Sequence, residues 1–269
     1  MNSSTRPVVI SGASITNDAA WPTWATWIQK RYNLKKVDNV SIKGLGNEAI
    51  LLKAVNTAFQ YKNPIIIVQL TNVDKWDWYV QSPELVEKIN KEKHPITKLT
   101  KSDLFGFWST GSHFPKWKEY YKDNYYSLEF HSYRTLQLIQ WFQLLSSKQG
   151  WKILILFDSP ILSVTEEQLN SGILTKDQCY QTTLIENTIS KHIFNSLDLT
   201  QIYMPGLIGY ACLNNMPWYS KKYKCHPDSL VHYHYAKEVV CKELDNFIKP
   251  VNEFETFLDE AIKFKGLVI

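Results

Sequence analysis

The run Pro64-Ile-Ile-Ile-Val-Gln-Leu70 leaves the chain less freedom than any other segment. Its three consecutive isoleucines and a valine favour extended backbone, because branching at Cβ crowds a helical turn and suits a pleated surface. The run is apolar on both parities and so has no face for water, which is the pattern of a strand covered on both sides in a parallel sheet. A second such run, Trp151-Lys-Ile-Leu-Ile-Leu-Phe157, stops at Asp158-Ser159-Pro160. Shorter strands are expected at Pro7–Ile10, at Val37–Ile42 and near Gln201–Met204. Helix-period segments lie between them. Trp21, Trp24, Trp27 and Ile28 share one face, and so do Ile50, Leu51, Ala54, Val55 and Ala58 within Glu48–Phe59. Further helices are expected over Ser132–Leu145, Thr182–Phe194 and about Asp228–Ile248. Alternation of this kind builds a mostly parallel sheet with helices on both faces, because right-handed crossovers lay each helix back on the sheet. Ligands then bind at the carboxyl ends of the strands.

Two stretches interrupt the alternation, about residues 71–130 and 159–200. The first holds Trp76, Trp78, Trp108 and Trp117 and is too long for an ordinary connection. The expectation is one domain over residues 1–269 with two insertions. With 10 Trp and 15 Tyr in 269 residues, many aromatics fall outside the strands. They serve either to cover the core beneath long connections or to stack on sugar rings or an acyl chain. A net charge of +4, spread along the chain, does not suggest a nucleic-acid partner. No apolar run approaches the ~20 residues that span a bilayer, and the first residues lack the apolar core of a secretion signal. Synthesis in the cytoplasm without a classical export signal is therefore expected. Cys179, Cys212, Cys225 and Cys241 form no CxxC pair and no zinc-like spacing with histidine, so free thiols are expected. No phosphate-cradling loop or dinucleotide fingerprint is present, since Gly44-Leu45-Gly46 lacks a third glycine. The chemistry calls for no metal, nucleotide or flavin.

The strand ends carry the candidate residues. Ser14 follows the first strand in Ser11-Gly12-Ala13-Ser14-Ile15-Thr16, Gly44 and Gly46 follow the second, Asn72 the third and Asp158 the fourth. Each also has an ordinary use, as a turn residue or a helix cap. Before the last helix runs Cys225-His226-Pro227-Asp228-Ser229-Leu230-Val231-His232. Pro227 and Asp228 suit a helix start, whereas His226 has no such structural task.

In the order and spacing of these blocks nearly the whole chain resembles the SGNH hydrolases, the GDSL-like lipase and acylhydrolase superfamily. Gly12-Ala13-Ser14-Ile15-Thr16 resembles the nucleophile block, with Ala13 in place of its Asp. Lys43-Gly44-Leu45-Gly46 resembles the glycine block, and Thr71-Asn72-Val73 keeps the asparagine of the third. His226, Pro227, His232 and Ala236 fall on the positions of the last block, while Tyr223 stands where its Asp would be. The resemblance implies a flavodoxin-like three-layer α/β/α sandwich with a five-stranded parallel sheet and a long aromatic-rich insertion. It implies a serine nucleophile, Ser14, and a general base, His226, with His232 a residue of the last helix. It also implies an oxyanion hole of the Ser14 N–H, the Gly46 N–H (Gly44 being the alternative) and the Asn72 side chain.

A serine hydroxyl needs a base to take its proton, and a neutral imidazole does this near neutral pH. With no acid at Tyr223, either Ser14 and His226 act as a dyad or another group orients the imidazole. Asp158 is the first candidate for that task, ahead of Asp74, Asp77, Asp228 and a backbone carbonyl. The expected activity is removal of a short acyl group, such as acetyl, from a carbohydrate-like or lipid-like ester, with Trp76, Trp78 and Trp108 binding the substrate. The alternative is a catalytically impaired glycan-binding or structural module.

Overall fold

The computed structural model describes residues 6–17, 22–34, 37–42, 45–71, 73, 76–79, 105–108, 128–158, 188–203, 206–216 and 227–263. In chain order these form β1 (Val8–Ser11), α1 (Trp24–Tyr32), β2 (Val37–Asn39), α2 (Asn47–Ala58), β3 (Ile65–Leu70), β4 (Trp76–Tyr79) and β5 (Phe105–Trp108). Next come α3 (Leu128–Gln149), β6 (Lys152–Phe157), α4 (Thr188–Asn195), β7 (Ile202–Tyr203) and α5 (Gly206–Leu213). The described chain closes with α6 (Ser229–Tyr235), a π-helical segment (Ala236–Val240), α7 (Cys241–Leu244) and α8 (Leu258–Lys263).

Five strands form one sheet in the order β2-β1-β3-β6-β7, and each neighbouring pair is parallel. This is the flavodoxin-like order, in which the chain runs outward in both directions from β1. The continuous apolar runs behave as their composition requires. All six residues of β3 are buried, and its side chains alternate between two cores. Ile66, Val68 and Leu70 join Ile153, Ile155 and Phe157 of β6 beneath α2 and α3. Ile65 and Ile67 join Leu154 and Leu156 against α1, α5, α6 and α7 on the other face. The molecule is thus a three-layer α/β/α sandwich.

The expected strands and helices are present with shifted limits. β2 stops at Asn39 as a strand, yet its pairing with β1 continues where Val40 N–H donates to Ile10 O (2.8 Å) and Ile42 N–H to Gly12 O (3.1 Å). α3 begins before Ser132 and extends beyond Leu145. α5 was not expected from the sequence, because Gly-Leu-Ile-Gly-Tyr-Ala-Cys-Leu is apolar around its circumference and shows no polar face. Its first residue, Gly206, adopts φ +81°, and a Cβ there would stand 2.7 Å from Phe157 O. Only glycine lets the chain turn so tightly against the end of β6. The first insertion contributes an antiparallel pair, β4 with β5, in the register Trp76↔Trp108 and Trp78↔Gly106. In the second, α4 covers the end of the helix expected over Thr182–Phe194, and residues 159–187 lie outside the described residues.

Candidate active site

The carboxyl ends of β1 and β3 lie side by side in the sheet, with α1 over one face and α2 over the other. Ser14 sits in the helical turn that follows β1, where the N–H groups of Thr16 and Asn17 both donate to Ala13 O (3.2 Å each). Ser14 is half-buried, between buried Ala13 and Ile15. The turn is held from beneath by Gln69, the one polar residue of β3. Gln69 Oε1 accepts from Thr16 Oγ1 (2.6 Å) and Trp24 Nε1 (2.7 Å), and its Nε2 donates to Phe157 O (3.2 Å). Thr16 O in turn accepts from Thr23 Oγ1 (3.2 Å) and Asn39 Nδ2 (3.3 Å). Gly12 is required by proximity, since a Cβ on it would fall 2.1 Å from Thr16 Oγ1. A buried polar group bonded at both its oxygen and its nitrogen fixes geometry as well as stability, and here the geometry fixed is that of the Ser14 turn.

Gly46 is the N-cap of α2, at φ −89°, and its N–H donates to Asp77 Oδ1 at 2.8 Å. The other oxygen of Asp77 accepts the Ala49 N–H at 2.7 Å. Asp77 therefore reaches from β4 to satisfy two amides of the first turn of α2, which have no partner within the helix. The donor expected to face an oxyanion is engaged by a carboxylate. Asn47, next in the chain, brackets the backbone after β3: its Oδ1 accepts the Thr71 N–H (2.8 Å) and its Nδ2 donates to Thr71 O (3.1 Å). That clamp ties the residue after Gly46 to the residue before Asn72.

Asp158 follows β6 and is buried. Its N–H donates to Leu70 O (2.8 Å) and its carbonyl accepts from Ile208 N–H (2.9 Å). Its position continues the Leu154 and Leu156 parity, on the α6 side of the sheet. Burial, with the Asp158 charge nearby, pushes the Tyr235 phenol of α6 well above its ordinary pKa. Asp228 is the N-cap of α6 and accepts from Leu230 N–H (3.0 Å) and Val231 N–H (3.1 Å), the task expected of it. His232 is fully buried, and its Nδ1 accepts the Trp24 N–H at 3.3 Å, joining α6 to the first turn of α1. His226, Asn72, Gly44, Tyr223 and Asp74 lie outside the described residues, as do the side chains of Trp76, Trp78 and Trp108.

The sequence did not point to the pocket beside α2. It is a small cleft lined by Asn47, Glu48 and Asp77 on one side and by His131, Arg134 and Thr135 of α3 on the other. Arg134 is ion-paired with Glu48. Burial pushes the Asp77 carboxyl up to about 6, against the pull of the Ala49 and Gly46 amides and of Arg134, while Glu48 adds to the rise. Burial, assisted by the Arg134 charge, holds the His131 imidazole below its ordinary pKa. The available signal was Asp77 itself, a carboxylate between two tryptophans in a strand. No cluster of three or more metal-ligating side chains is found among the described residues, and none of their helices is long and apolar enough to cross a membrane.

No protein-family model matches the chain, and no curated protein matches it in sequence. Among solved structures it is similar to a protein from Lactobacillus plantarum, at 11% identity over 91% of this chain and 98% of that one, with a TM-score of 0.45. It is also similar to a catalytic mutant of an acetylxylan esterase from Geobacillus stearothermophilus, at 11% identity, 86% and 91% coverage and a TM-score of 0.41. A third is an acetyl xylan esterase, at 13% identity, 98% and 100% coverage and a TM-score of 0.30. Likeness at this level carries no residue role or substrate across to this chain.

Proposed function

We propose that the chain is a serine ester hydrolase that removes a short acyl group, acetyl being the first candidate, from a carbohydrate-like or lipid-like ester. The observation that carries the proposal is the location of Ser14. It is half-buried on a braced turn at the end of β1, beside the end of β3, where an open sheet of this strand order binds its ligands. In the proposed reaction His226 takes the Ser14 proton as Oγ attacks the ester carbonyl. The Ser14 N–H, the Gly46 N–H and the Asn72 side chain receive the oxyanion. The alkoxide of the alcohol then leaves with the proton from His226, and water repeats the sequence on the acyl-serine. Asp158 is proposed to orient His226. The ends of β1 and β6 are two strand spacings apart, roughly 10 Å, so the two side chains must lean toward each other for an imidazole to bridge them. Trp76, Trp78 and Trp108 are proposed to bind the substrate.

One observation favours a second reading, a catalytically impaired binding module: the Gly46 N–H is held by Asp77. A serine-directed fluorophosphonate followed by peptide mapping separates the two. Labelling at Ser14, and loss of p-nitrophenyl acetate hydrolysis in Ser14→Ala, are expected of the hydrolase. His226→Asn should abolish turnover, while His232→Asn should act on stability through the Trp24 contact. No labelling of the parent and no Ser14-dependent hydrolysis would make the glycan-binding or structural module the better reading.

A further inference from the structure

The Gly46 N–H has two claimants. One is the oxyanion of the proposed reaction, and the other is Asp77, which holds it at 2.8 Å. The space around Gly46 is shaped for the second. A Cβ on Gly46 would stand 2.8 Å from Asp77 Oδ2 and 3.0 Å from the carboxyl carbon and Oδ1, so a side chain at this position would force the carboxylate to shift. With φ at −89° the backbone does not demand glycine, and the approach of the carboxylate does. Among the described residues Asp77 makes no ion pair: Arg134, which lines the pocket, is paired with Glu48 and acts on Asp77 through its charge alone. Its hydrogen-bond partners among the described residues are the two amides of α2. A carboxylate oxygen and the oxyanion of a tetrahedral intermediate ask the same thing of an N–H, and one N–H cannot serve both fully.

We propose that Asp77 is an internal competitor for the oxyanion: its carboxylate holds the Gly46 N–H in the resting protein, and acyl transfer proceeds in the molecules that have released it. Competition of this kind rests on the Ser14 site proposed above. Asp77 gains and loses no bond to substrate. As Ser14 Oγ bonds to the ester carbon and its proton passes to His226, the carbonyl π electrons move onto oxygen. That oxygen takes the Gly46 N–H, and Asp77 keeps only the Ala49 N–H.

The competitor weakens when protonated, since a neutral carboxyl oxygen is a poorer acceptor than a carboxylate. Burial sets that protonation, holding the Asp77 carboxyl at about 6; Glu48 of α2 adds to the rise and the Arg134 cation of α3 opposes it, and His131 of α3 also lines the pocket. Release is thus favoured below about pH 6, whereas His226 acts as a base above its ordinary pKa of ~6.5. The two demands cross, so parent activity should peak between about pH 6 and 6.5, with the competent form a minority, and fall short on the alkaline side.

The test compares the parent, Asp77→Ala, Asp77→Asn and Ser14→Ala, with kcat/KM on p-nitrophenyl acetate measured from pH 5 to pH 8. Asp77→Ala is expected to exceed the parent about tenfold at pH 8 and by less than twofold at pH 5. Asp77→Asn, of nearly the same shape and without the charge, should fall between them and covers the case in which the alanine variant does not fold. In the parent the Gly46 and Ala49 amide resonances should titrate together, and in Asp77→Asn they should not. If Ser14-dependent turnover is present and neither Asp77 variant exceeds the parent at pH 8, Asp77 is a helix cap and the competition is overturned while the hydrolase stands. If no form is labelled by fluorophosphonate or shows Ser14-dependent turnover, the hydrolase fails and the competition with it. An inactive parent made active by Asp77→Asn would support both.

Discussion

A carboxylate that leaves water for the first turn of a helix gains amide donors and a favourable dipole, and gives up its hydration. At Asp77 the loss is the larger, which is why its carboxyl is raised in spite of two N–H donors. The sign of the consequence follows from proton binding. Between the unfolded value near 3.8 and the folded value near 6, the folded chain holds more protons at this site than the unfolded chain does. The contribution of Asp77 to stability is therefore fullest below about pH 4 and declines as pH rises to about 6. The decline amounts to about 2–3 kcal/mol at 1.36 kcal/mol per unit. Chemical denaturation of the parent and Asp77→Asn at pH 4 and pH 7 is expected to show the parent losing that much relative to the variant. Equal pH dependence in the two would place the carboxyl in solvent. Asn47 acts in the opposite sense. Its side chain bonds both backbone groups of Thr71 and the Thr135 hydroxyl, and Asn47→Ala, which removes these buried hydrogen bonds, should cost about 1–3 kcal/mol, readable as a lowered denaturation midpoint. The sequence displayed Ser14 and Asp228 plainly, because their surroundings are local: a turn after a strand and a cap before a helix. Asn47 and Asp77 act across 24 residues or more, and short-range pattern carries no trace of such contacts.

At the scale of elements, legibility followed the strength of the period. β3 and β6 were read almost to the residue, because a strand buried on both faces writes its own composition. α2 was read from its apolar stripe. α5 was invisible to the same method, since a helix buried on every side has no stripe to find, and its start depends on Gly206. Gly206→Ala should destabilise by more than about 1 kcal/mol, from the φ of +81° and the 2.7 Å approach to Phe157 O together. A thermal melt unchanged by this substitution would mean that the β7–α5 turn can be rebuilt at no cost. The β4–β5 pair lay hidden for another reason. Read as an aromatic insertion, the stretch offered its tryptophans as a binding surface, whereas the paired strands also deliver Asp77 to α2.

The whole molecule sets the terms on which a triad could work. In the order β2-β1-β3-β6-β7 the chain reverses direction at β1, and the crevice between the ends of β1 and β3 is the natural ligand site. Alternation of strands and helices in the sequence foretold the parallel sheet. Which strand ends become neighbours depends on the sheet as a whole, and on this the role of Asp158 turns. Tyr223 occupies the position three residues before His226 where the resembled family carries its acid. Asp158 stands two strands from β1, buried and on the α6 side of the sheet, so an acid delivered by β6 could replace one delivered by the loop before α6. If it does, Asp158→Asn should lower kcat on p-nitrophenyl acetate by about 10³–10⁴, the scale of losing the group that fixes the histidine tautomer. KM should change little, because an orienting acid acts on the transition state more than on substrate binding. Tyr223→Asp should then leave the rate nearly unchanged. A dyad without an acid predicts the reverse: indifference to Asp158→Asn and at least a tenfold gain from Tyr223→Asp. Circular dichroism of Asp158→Asn guards the comparison, since a variant that has lost its fold would lose activity for the wrong reason. A folded Asp158→Asn protein with the kcat of the parent removes Asp158 from the mechanism.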